Sequence, residues 1–108
     1  MKHFVIQSTF TIPFEQFGDT VVEHRSFLQK GYDQGWILCS GPQSPKVGGV
    51  IVARAPSLED IRAFFADDPY QVKGLAQYRF VEFEPVKRQA FLEQWVTVVF
   101  PIVIRTCE

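Results

Sequence analysis

The stretch that decides the fold is VGGVIVAR, residues 47–54. In an extended chain Val50 and Val52 point to one side, while Ile51 and Ala53 point to the other, because side chains alternate along a strand. Both sides are therefore apolar, which is typical of an interior strand in a sheet that is covered on both faces. This stretch predicts a central strand, and the flanking sequence has to supply its neighbours and its cover.

The flanking sequence predicts three more strands and two helices. Runs rich in β-branched and aromatic residues predict the strands, and apolar residues three or four positions apart predict the helices. The predicted elements, in chain order, are a strand over Lys2–Phe10, a helix that starts between Phe14 and Asp19 and runs to about Gln34, a strand over Trp36–Gly41, the strand over 47–54, a helix between Ser57 and Pro69, and a strand over Leu75–Glu84.

The ends of both helices have recognisable signals. Gly35 follows the first helix, where glycine commonly ends a helix. Ser57 is a candidate N-cap of the second helix, with Asp60 three residues further on as in a capping box. Pro69 forbids continuation of that helix and favours extended backbone at the residue before it. These signals separate the helices from the strands on either side.

The order βαββαβ is the split βαβ arrangement. It predicts an α+β fold of ferredoxin-like type, with a four-stranded antiparallel sheet and both helices on one face. Both faces of the sheet are apolar, since Phe80 lies on one side of the last strand and Val81 and Phe83 lie on the other. Two helices can cover only one face, so the other face lacks a cover. The simplest cover is a second copy of the chain, packed sheet against sheet with two-fold symmetry. The pattern therefore predicts a homodimer.

The length of 108 residues suits one domain and is too short for two. We expect a single domain over residues 1–108, with a core over roughly 1–87 and a C-terminal extension over roughly 88–108. In the extension, Pro85–Trp95 predicts a short helix. Val96–Arg105 predicts a terminal strand, interrupted by Pro101, that could cross to a partner subunit.

Composition and charge exclude several classes of function. The chain is 46% apolar and 15% aromatic, with eleven Phe, which excludes a disordered protein. The net charge is −1 and no basic stripe is present, so we expect no nucleic-acid partner. No apolar run has the length of a membrane span, and the N-terminus does not resemble a signal peptide. The two cysteines make no disulfide framework. We therefore expect a cytoplasmic protein without membrane contact.

His24 is the first candidate for chemistry. It shares a helical stripe with Phe17, Val21 and Leu28, so it is expected to face the sheet or its rim. Imidazole is the side chain best suited to proton transfer near neutral pH. The alternative is a structural histidine that is satisfied by a backbone carbonyl.

Asp67 and Asp68 are the second candidate. They close the second predicted helix, where the helix dipole disfavours negative charge, so a cationic or hydrogen-bonding partner is expected for one of them. A carboxylate that holds an imidazole in one tautomer would have such a partner. The alternative is that both are solvated turn residues before Pro69.

The remaining candidates are weaker patterns. In Ser40-Gly41-Pro42 the hydroxyl or nearby amides could bind an oxyanion, or the segment could simply be a turn. Gly48-Gly49 indicates a bulge or a close approach of another backbone. Cys39 could be a nucleophile beside His24 or a small buried hydrophobic residue. We expect no metal site, because no histidine or cysteine spacing is typical of one, and no phosphate-binding loop.

The ordered set of these residues resembles the YciI-like, or YCII-related, domain family, over Met1–Lys87. The residues that carry the resemblance are His24 in the first helix, Leu38-Cys39-Ser40-Gly41-Pro42, Gly48-Gly49, Asp67-Asp68-Pro69-Tyr70 and Gly74-Leu75.

The resemblance implies a ferredoxin-like fold and a dimer of the α/β-barrel type, similar to muconolactone isomerase. It also implies that His24 and Asp68 meet in a pocket between helix and sheet. Most members have no assigned reaction, but one branch is a dehydrochlorinase of a chlorinated hydroxyhydroquinone, in which this pair is held responsible for the chemistry. The chain departs from the family pattern at Tyr70, where many members have Phe, and at Lys73, where a small residue is usual. Either departure could change the polarity of the pocket.

Two functions follow as hypotheses. The first is an enzyme without a cofactor, in which His24 is general acid or base on a small aromatic or lactone-like molecule and Asp68 orients the imidazole. Isomerisation and elimination are the reaction types this pair could serve. Ser40-Gly41-Pro42 and Tyr70, with Trp36 nearby, would bind the substrate. The second is a non-catalytic dimeric module that binds a small molecule or stabilises a partner.

Overall fold

The fold was analysed in a computed structural model that describes residues 1–97. Its elements follow the predicted order, with one unpredicted short helix over Pro69–Val72. They are β1 (Lys2–Phe10), α1 (Thr20–Asp33), β2 (Ile37–Pro42), β3 (Gly48–Ala55), α2 (Leu58–Phe65), α3 (Pro69–Val72), β4 (Ala76–Phe83) and α4 (Glu93–Thr97), with single 3₁₀ turns at Phe14–Gln16 and Ala90–Leu92. Helix α1 thus begins just after the range predicted for its start, because the first predicted turn is the separate 3₁₀ turn.

The four strands form one antiparallel sheet in the order β2-β3-β1-β4. Ile6 of β1 lies opposite Ile51 of β3 on one side and opposite Phe80 of β4 on the other. The stretch that predicted a central strand is therefore interior, between β2 and β1. The α+β fold with the ferredoxin-like order of elements is confirmed.

The core lies between the sheet and its helices. Phe4 and Ile6 of β1 are fully buried against Ile61 and Phe65 of α2 and their neighbours. Burying side chains of this size contributes about 1.5–3 kcal/mol each. Helix α2 therefore packs an apolar face on the sheet, and this packing fixes the helix layer.

The predicted helix ends are confirmed. Gly35 has a φ of 79°, and the amides of Gly35 and Trp36 donate to the carbonyls of Tyr32 and Gly31, which is the Schellman arrangement. At the start of α2, the Ser57 hydroxyl accepts a hydrogen bond from the amide of the residue three positions on, as an N-cap does.

Gly48 confirms the expected close approach between backbones. A Cβ atom placed on Gly48 would lie 1.9 Å from the Ser8 carbonyl oxygen of β1, so β3 and β1 could not keep their spacing with any other residue there. Gly49 is also near Ser8, whose hydroxyl oxygen accepts a hydrogen bond of 2.9 Å from the Gly49 amide. The two glycines bring β1, β2 and β3 close together at the end of the sheet where the cavity lies.

The C-terminal extension differs in part from its prediction. Residues 85–89 are not helical, and the helix that follows, α4, includes Val96, which was predicted to begin a strand. Arg54 explains why this segment lies against the sheet: its guanidinium donates to the Trp95 carbonyl at 2.8 Å and lies 3.8 Å from the centroid of the Trp95 ring. The rest of the predicted strand, residues 98–105, lies outside the described residues.

The sheet face opposite α1 and α2 is only partly covered. Side chains on this face alternate with the core residues, and several large apolar ones are exposed, among them Val50 of β3 and Val81 and Phe83 of β4. We name these three residues the open face. No helix within residues 1–97 is long and apolar enough to cross a membrane.

Candidate active site

A cavity of about 260 Å³ lies between α1 and the end of the sheet where β2 meets β3. Most of the site residues that were predicted from the sequence line it, including His24, Ser40, Gly41, Pro42 and Tyr70. Its other lining residues were not predicted as site residues: they are Ser8, Phe10, Phe14, Val21, Arg25, Leu28, Lys46, Gly48, Gly49, Val50, Ile51 and Tyr78.

His24 lies on the second turn of α1, with its side chain 15% exposed. Its Nδ1 donates to Oδ1 of Asp68 over 2.8 Å. Within the described residues Nε2 makes no hydrogen bond and is not a buried atom, so it remains open to a molecule in the cavity. The interpretation as a histidine satisfied by a backbone carbonyl is wrong, because its partner is a carboxylate 44 positions away.

Tyr70 fixes the plane of the imidazole. The two rings are stacked with centroids 3.7 Å apart and an angle of 6° between their planes. On its other side Tyr70 meets the edge of Phe17 at 4.9 Å, within an aromatic cluster that also includes Phe10 and Phe14. His24 is therefore held by a hydrogen bond in the ring plane and by stacking against the ring face.

Asp68 is completely buried, with no exposed side-chain surface. Its Oδ1 accepts from His24 Nδ1 and from the Tyr70 amide at 3.0 Å, and its Oδ2 accepts from the Tyr78 hydroxyl. Three donors thus converge on one carboxylate, which offsets the cost of burying it. The interpretation of Asp68 as a solvated turn residue is wrong, whereas its neighbour Asp67 is exposed.

The prediction that Asp68 closes the second helix, at the end where the helix dipole disfavours its charge, is also wrong. Helix α2 ends at Phe65, and Asp68 is instead the N-cap of α3, with Pro69 in the first helical position. At an N-terminus the helix dipole favours a carboxylate, and proline is well suited to the first turn. Pro69 does keep Asp68 extended, at ψ 127°, as the sequence predicted. This backbone geometry aims the carboxylate back at the amide of Tyr70.

Tyr78 was not predicted as a site residue. It points from β4 toward the helices, where its hydroxyl donates to Oδ2 of Asp68. Burial, together with the charge of Asp68, raises the pKa of the Tyr78 phenol far above its usual value, so this group stays protonated and remains a donor. The sequence did contain a signal, because alternation along β4 places a phenol among core residues, and a buried phenol needs a partner.

Tyr70 also keeps its proton. Burial raises the pKa of its phenol, and Asp68 raises it further, while Arg25 acts in the opposite direction. Its roles here are therefore those of a neutral aromatic ring and of a backbone donor to Asp68.

The segment Ser40-Gly41-Pro42 lies along β2 at the cavity, as predicted. The Ser40 hydroxyl is 2.6 Å from the Tyr32 hydroxyl, so it is held in place and keeps hydrogen-bonding capacity for a ligand. The nearby amide of Gly49 is already engaged by Ser8. This wall of the cavity can therefore bind a ligand through the Ser40 hydroxyl rather than through free backbone amides.

Three residues named in the sequence analysis lie away from the cavity. Trp36 packs on the helix layer near Phe64, at 6.0 Å between ring centroids. Cys39 is exposed and does not line the cavity, so neither the nucleophile nor the buried hydrophobic interpretation holds. Lys73 contacts the start of α1, where its Nζ is 3.0 Å from a carboxylate oxygen of Glu23. Of the two departures from the family pattern, only Tyr70 reaches the cavity wall.

Histidine, cysteine and acidic side chains do not gather into a group of three that could hold a metal ion anywhere in residues 1–97. The second histidine, His3, lies on β1 near Val96, in a depression separate from the cavity, and burial lowers its pKa. The chemistry that the site can offer therefore rests on the imidazole of His24, the buried carboxylate behind it and an aromatic wall.

The fold and the cavity together define a small ferredoxin-like α+β domain with a ligand-sized pocket between helix and sheet. The family model of the YCII-related domain matches residues 5–84, and the chain belongs to this family. No curated protein matches the sequence. The predicted family resemblance is confirmed.

One solved structure that the chain resembles is 5-chloro-2-hydroxyhydroquinone dehydrochlorinase (TftG) from Burkholderia phenoliruptrix AC1100, in complex with 2,5-dihydroxybenzoquinone. The two share 18% sequence identity, with a TM-score of 0.60, over 75% of this chain and 90% of that chain. At this identity the similarity establishes the common fold.

Proposed function

We propose that this protein is an enzyme that transfers protons on a small, planar, ring-shaped molecule without a cofactor. The observation that carries the proposal is the contact of 2.8 Å between His24 Nδ1 and a fully buried carboxylate, on an imidazole that lines the cavity and whose Nε2 has no hydrogen-bond partner within residues 1–97. A neutral imidazole with its proton on Nδ1 has its lone pair on Nε2, where it can act as a general base.

The proton then returns or leaves with the product according to the reaction. In an isomerisation, His24 takes a proton from one substrate atom and delivers it to another. In an elimination, His24 takes the proton while the leaving group departs with its bonding electron pair. The dehydrochlorinase with the same fold supports elimination as the reaction type, and the family relationship supports a small-molecule substrate.

The cavity supports a substrate of about one ring. Its volume of about 260 Å³ is below the range of roughly 300–1,000 Å³ that is typical of pockets for drug-sized ligands. Phe10 and Phe14 line it with rings 5.8 Å apart and nearly parallel, and Tyr70 adds a third aromatic wall. A flat, partly apolar molecule fits these walls better than a flexible polar chain does.

The tautomer of His24 provides a direct test. With neutral imidazole, we expect the ring proton on Nδ1 in the wild-type protein, because the Asp68 carboxylate can only accept a hydrogen bond. In Asp68→Asn the side-chain amide can donate to Nδ1, so the proton is expected to move to Nε2. Long-range ¹H–¹⁵N correlation spectra of the histidine ring nitrogens distinguish the two forms.

Asp67→Asn is the matched control, since it makes the same change at the adjacent, exposed position. It is expected to leave the His24 spectrum unchanged. A wild-type imidazole protonated on Nε2, or an Asp68→Asn protein that keeps the Nδ1 proton, would contradict the proposed role of Asp68. The alternative of a non-catalytic binding module would then be preferred.

We also infer that the chain forms a homodimer through the open face. Val50, Val81 and Phe83 are each between 38% and 40% exposed there. Packing two such faces together would remove these side chains from water.

Sedimentation equilibrium at micromolar concentration is expected to give twice the chain mass of 12.4 kDa. Val81→Lys is expected to shift the mass to that of one chain, because two-fold symmetry would bury a pair of charges. Val22→Lys makes the same change at an exposed site on α1 and is expected to leave the mass unaltered. A wild-type protein that sediments as a monomer would contradict the dimer.

A further inference from the structure

Two cations line the cavity, and the proposed proton transfer uses neither. Arg25 follows His24 on α1, and Lys46 lies in the loop between β2 and β3. Both residues are exposed, and neither takes part in a salt bridge or a side-chain hydrogen bond with any residue in 1–97. By contrast, Lys73 and Arg88 are each paired with a glutamate.

Within residues 1–97, no exposed carboxylate lines the cavity to balance these cations. Among its described lining residues there is no Asp or Glu. The nearest carboxylate that the site uses, Asp68, is fully buried behind His24 and is already bound by three donors. Two positive charges therefore face a cavity whose walls are otherwise apolar or neutral, which favours an anionic ligand.

The position of each cation ties it to the aromatic part of the cavity. The Nζ atom of Lys46 lies 5.3 Å from the centroid of the Phe14 ring, so its charge is at the edge of the aromatic wall. The charge of Arg25 reaches Tyr70, whose phenol pKa it lowers against the stronger effect of burial. The two cations come from different elements and approach the same space, in which a ring would pack against Phe10, Phe14 or Tyr70.

We propose that the substrate is an aromatic carboxylate of a single ring, whose carboxylate is bound by Arg25 and Lys46 while the ring enters the aromatic cavity beside His24. A guanidinium matches a carboxylate through two parallel hydrogen bonds, and a lysine ammonium adds a point charge. This inference rests on the proposed function for its use of His24 and adds the class of substrate. Binding the carboxylate at the rim orients the ring toward Nε2.

The test compares benzoate with benzamide, which has the same ring and shape but no charge. Titrations followed by amide chemical shifts are expected to show benzoate binding about tenfold more tightly than benzamide. Benzoate makes two charge contacts, each worth up to about 1 kcal/mol, that benzamide lacks. Raising the ionic strength is expected to weaken benzoate binding and to leave benzamide binding unchanged.

Substitution of each cation tests whether Arg25 and Lys46 cause the preference for benzoate. Arg25→Gln and Lys46→Gln are each expected to weaken benzoate binding by about two- to fivefold, and the double variant by about tenfold, to the level of benzamide. Benzamide binding should not change in any of them. Lys30→Gln removes the same charge from α1 at a position outside the cavity, and it is expected to leave benzoate binding as in the wild type.

The outcomes separate this inference from the proposed function. If benzoate fails to bind, binds no more tightly than benzamide, or binds equally well to the double variant, the inference is wrong, whatever His24 does. His24→Asn is expected to retain the preference for benzoate over benzamide, because the imidazole does not contact the carboxylate. Retained benzoate preference together with absent proton transfer would support the binding site and contradict the enzyme.

Discussion

Asp68→Ala is expected to lower the free energy of unfolding by about 3–5 kcal/mol, the range found when one partner of a buried charged contact is removed. The substitution leaves the His24 Nδ1, the Tyr70 amide and the Tyr78 hydroxyl without their acceptor. A buried donor that loses its partner costs about 1–3 kcal/mol, and loss of an N-cap adds about 0.5–2 kcal/mol. Because His24 can regain water from the cavity, the total falls below the sum of these costs.

Urea denaturation measures this change, with Asp67→Ala as the matched control. Asp67 is exposed and adjacent, so its substitution is expected to change the stability by no more than about 0.5 kcal/mol. Asp68→Asn keeps an oxygen acceptor, so its free energy of unfolding is expected to lie between those of the wild type and Asp68→Ala. This variant gives a measurable comparison even if Asp68→Ala does not fold. Equal stability of Asp68→Ala and Asp67→Ala would contradict the central place of Asp68 in the packing.

The fold could be predicted because its signals are local. Alternation in β3, the glycine after α1 and the Ser57 cap each depend on residues close in sequence, and all of them are found in the structure. The contact between His24 and Asp68 is different in kind. It spans 44 positions, so only the family resemblance could suggest it before the fold was known.

The local environment of Asp68 differs from the one that the sequence predicted. Pro69 predicts the end of the preceding helix, but proline is equally favoured in the first turn of a new one. The structure has both events: α2 ends at Phe65 and α3 begins at Pro69. The carboxylate therefore lies at the favourable end of a helix dipole, and its three donors account for its burial.

Cys39 and Ser40 show the limit of alternation. Strict alternation would place Cys39 on the same face as Ile37, toward the helices. The register shift between Ile37 and Cys39 moves the pattern by one residue, so that Cys39 lies opposite Val52 and Ser40 lies opposite Ile51. A one-residue bulge thus presents a hydroxyl instead of a thiol to the cavity. No residue pattern in β2 predicts this bulge.

Arg25, Lys46 and Tyr78 were missed because each acquires its role from distant partners. Charged residues on a helix or in a loop are usually solvated, and a tyrosine in a strand is usually a core residue. Only the packing of α1 against the sheet and the course of the β2–β3 loop bring the two cations to one cavity. Only the burial of Asp68 gives the Tyr78 hydroxyl a partner.

His24→Asn is expected to lower the rate of proton transfer by about 10²- to 10⁴-fold, the usual contribution of a general acid or base. An Asn amide nitrogen can take the place of Nδ1 and keep the hydrogen bond to Asp68, so the stability should change little. What is lost is the lone pair of Nε2, together with the stacking of the imidazole ring on Tyr70. The measurement is deuterium uptake at ring carbons of hydroxybenzoates in D₂O, together with chloride release from chlorinated hydroquinones.

The control for this substitution is His3→Asn, because His3 lies on β1 outside the cavity. It is expected to leave the exchange rate unchanged. A further variant, Tyr78→Phe, keeps the ring but removes one donor to Asp68, so it is expected to alter the rate less than His24→Asn does. Unchanged exchange in His24→Asn would contradict proton transfer by His24. Lost exchange with retained benzoate binding would separate the base from the cations, since His24→Asn removes the imidazole and leaves Arg25 and Lys46 in place.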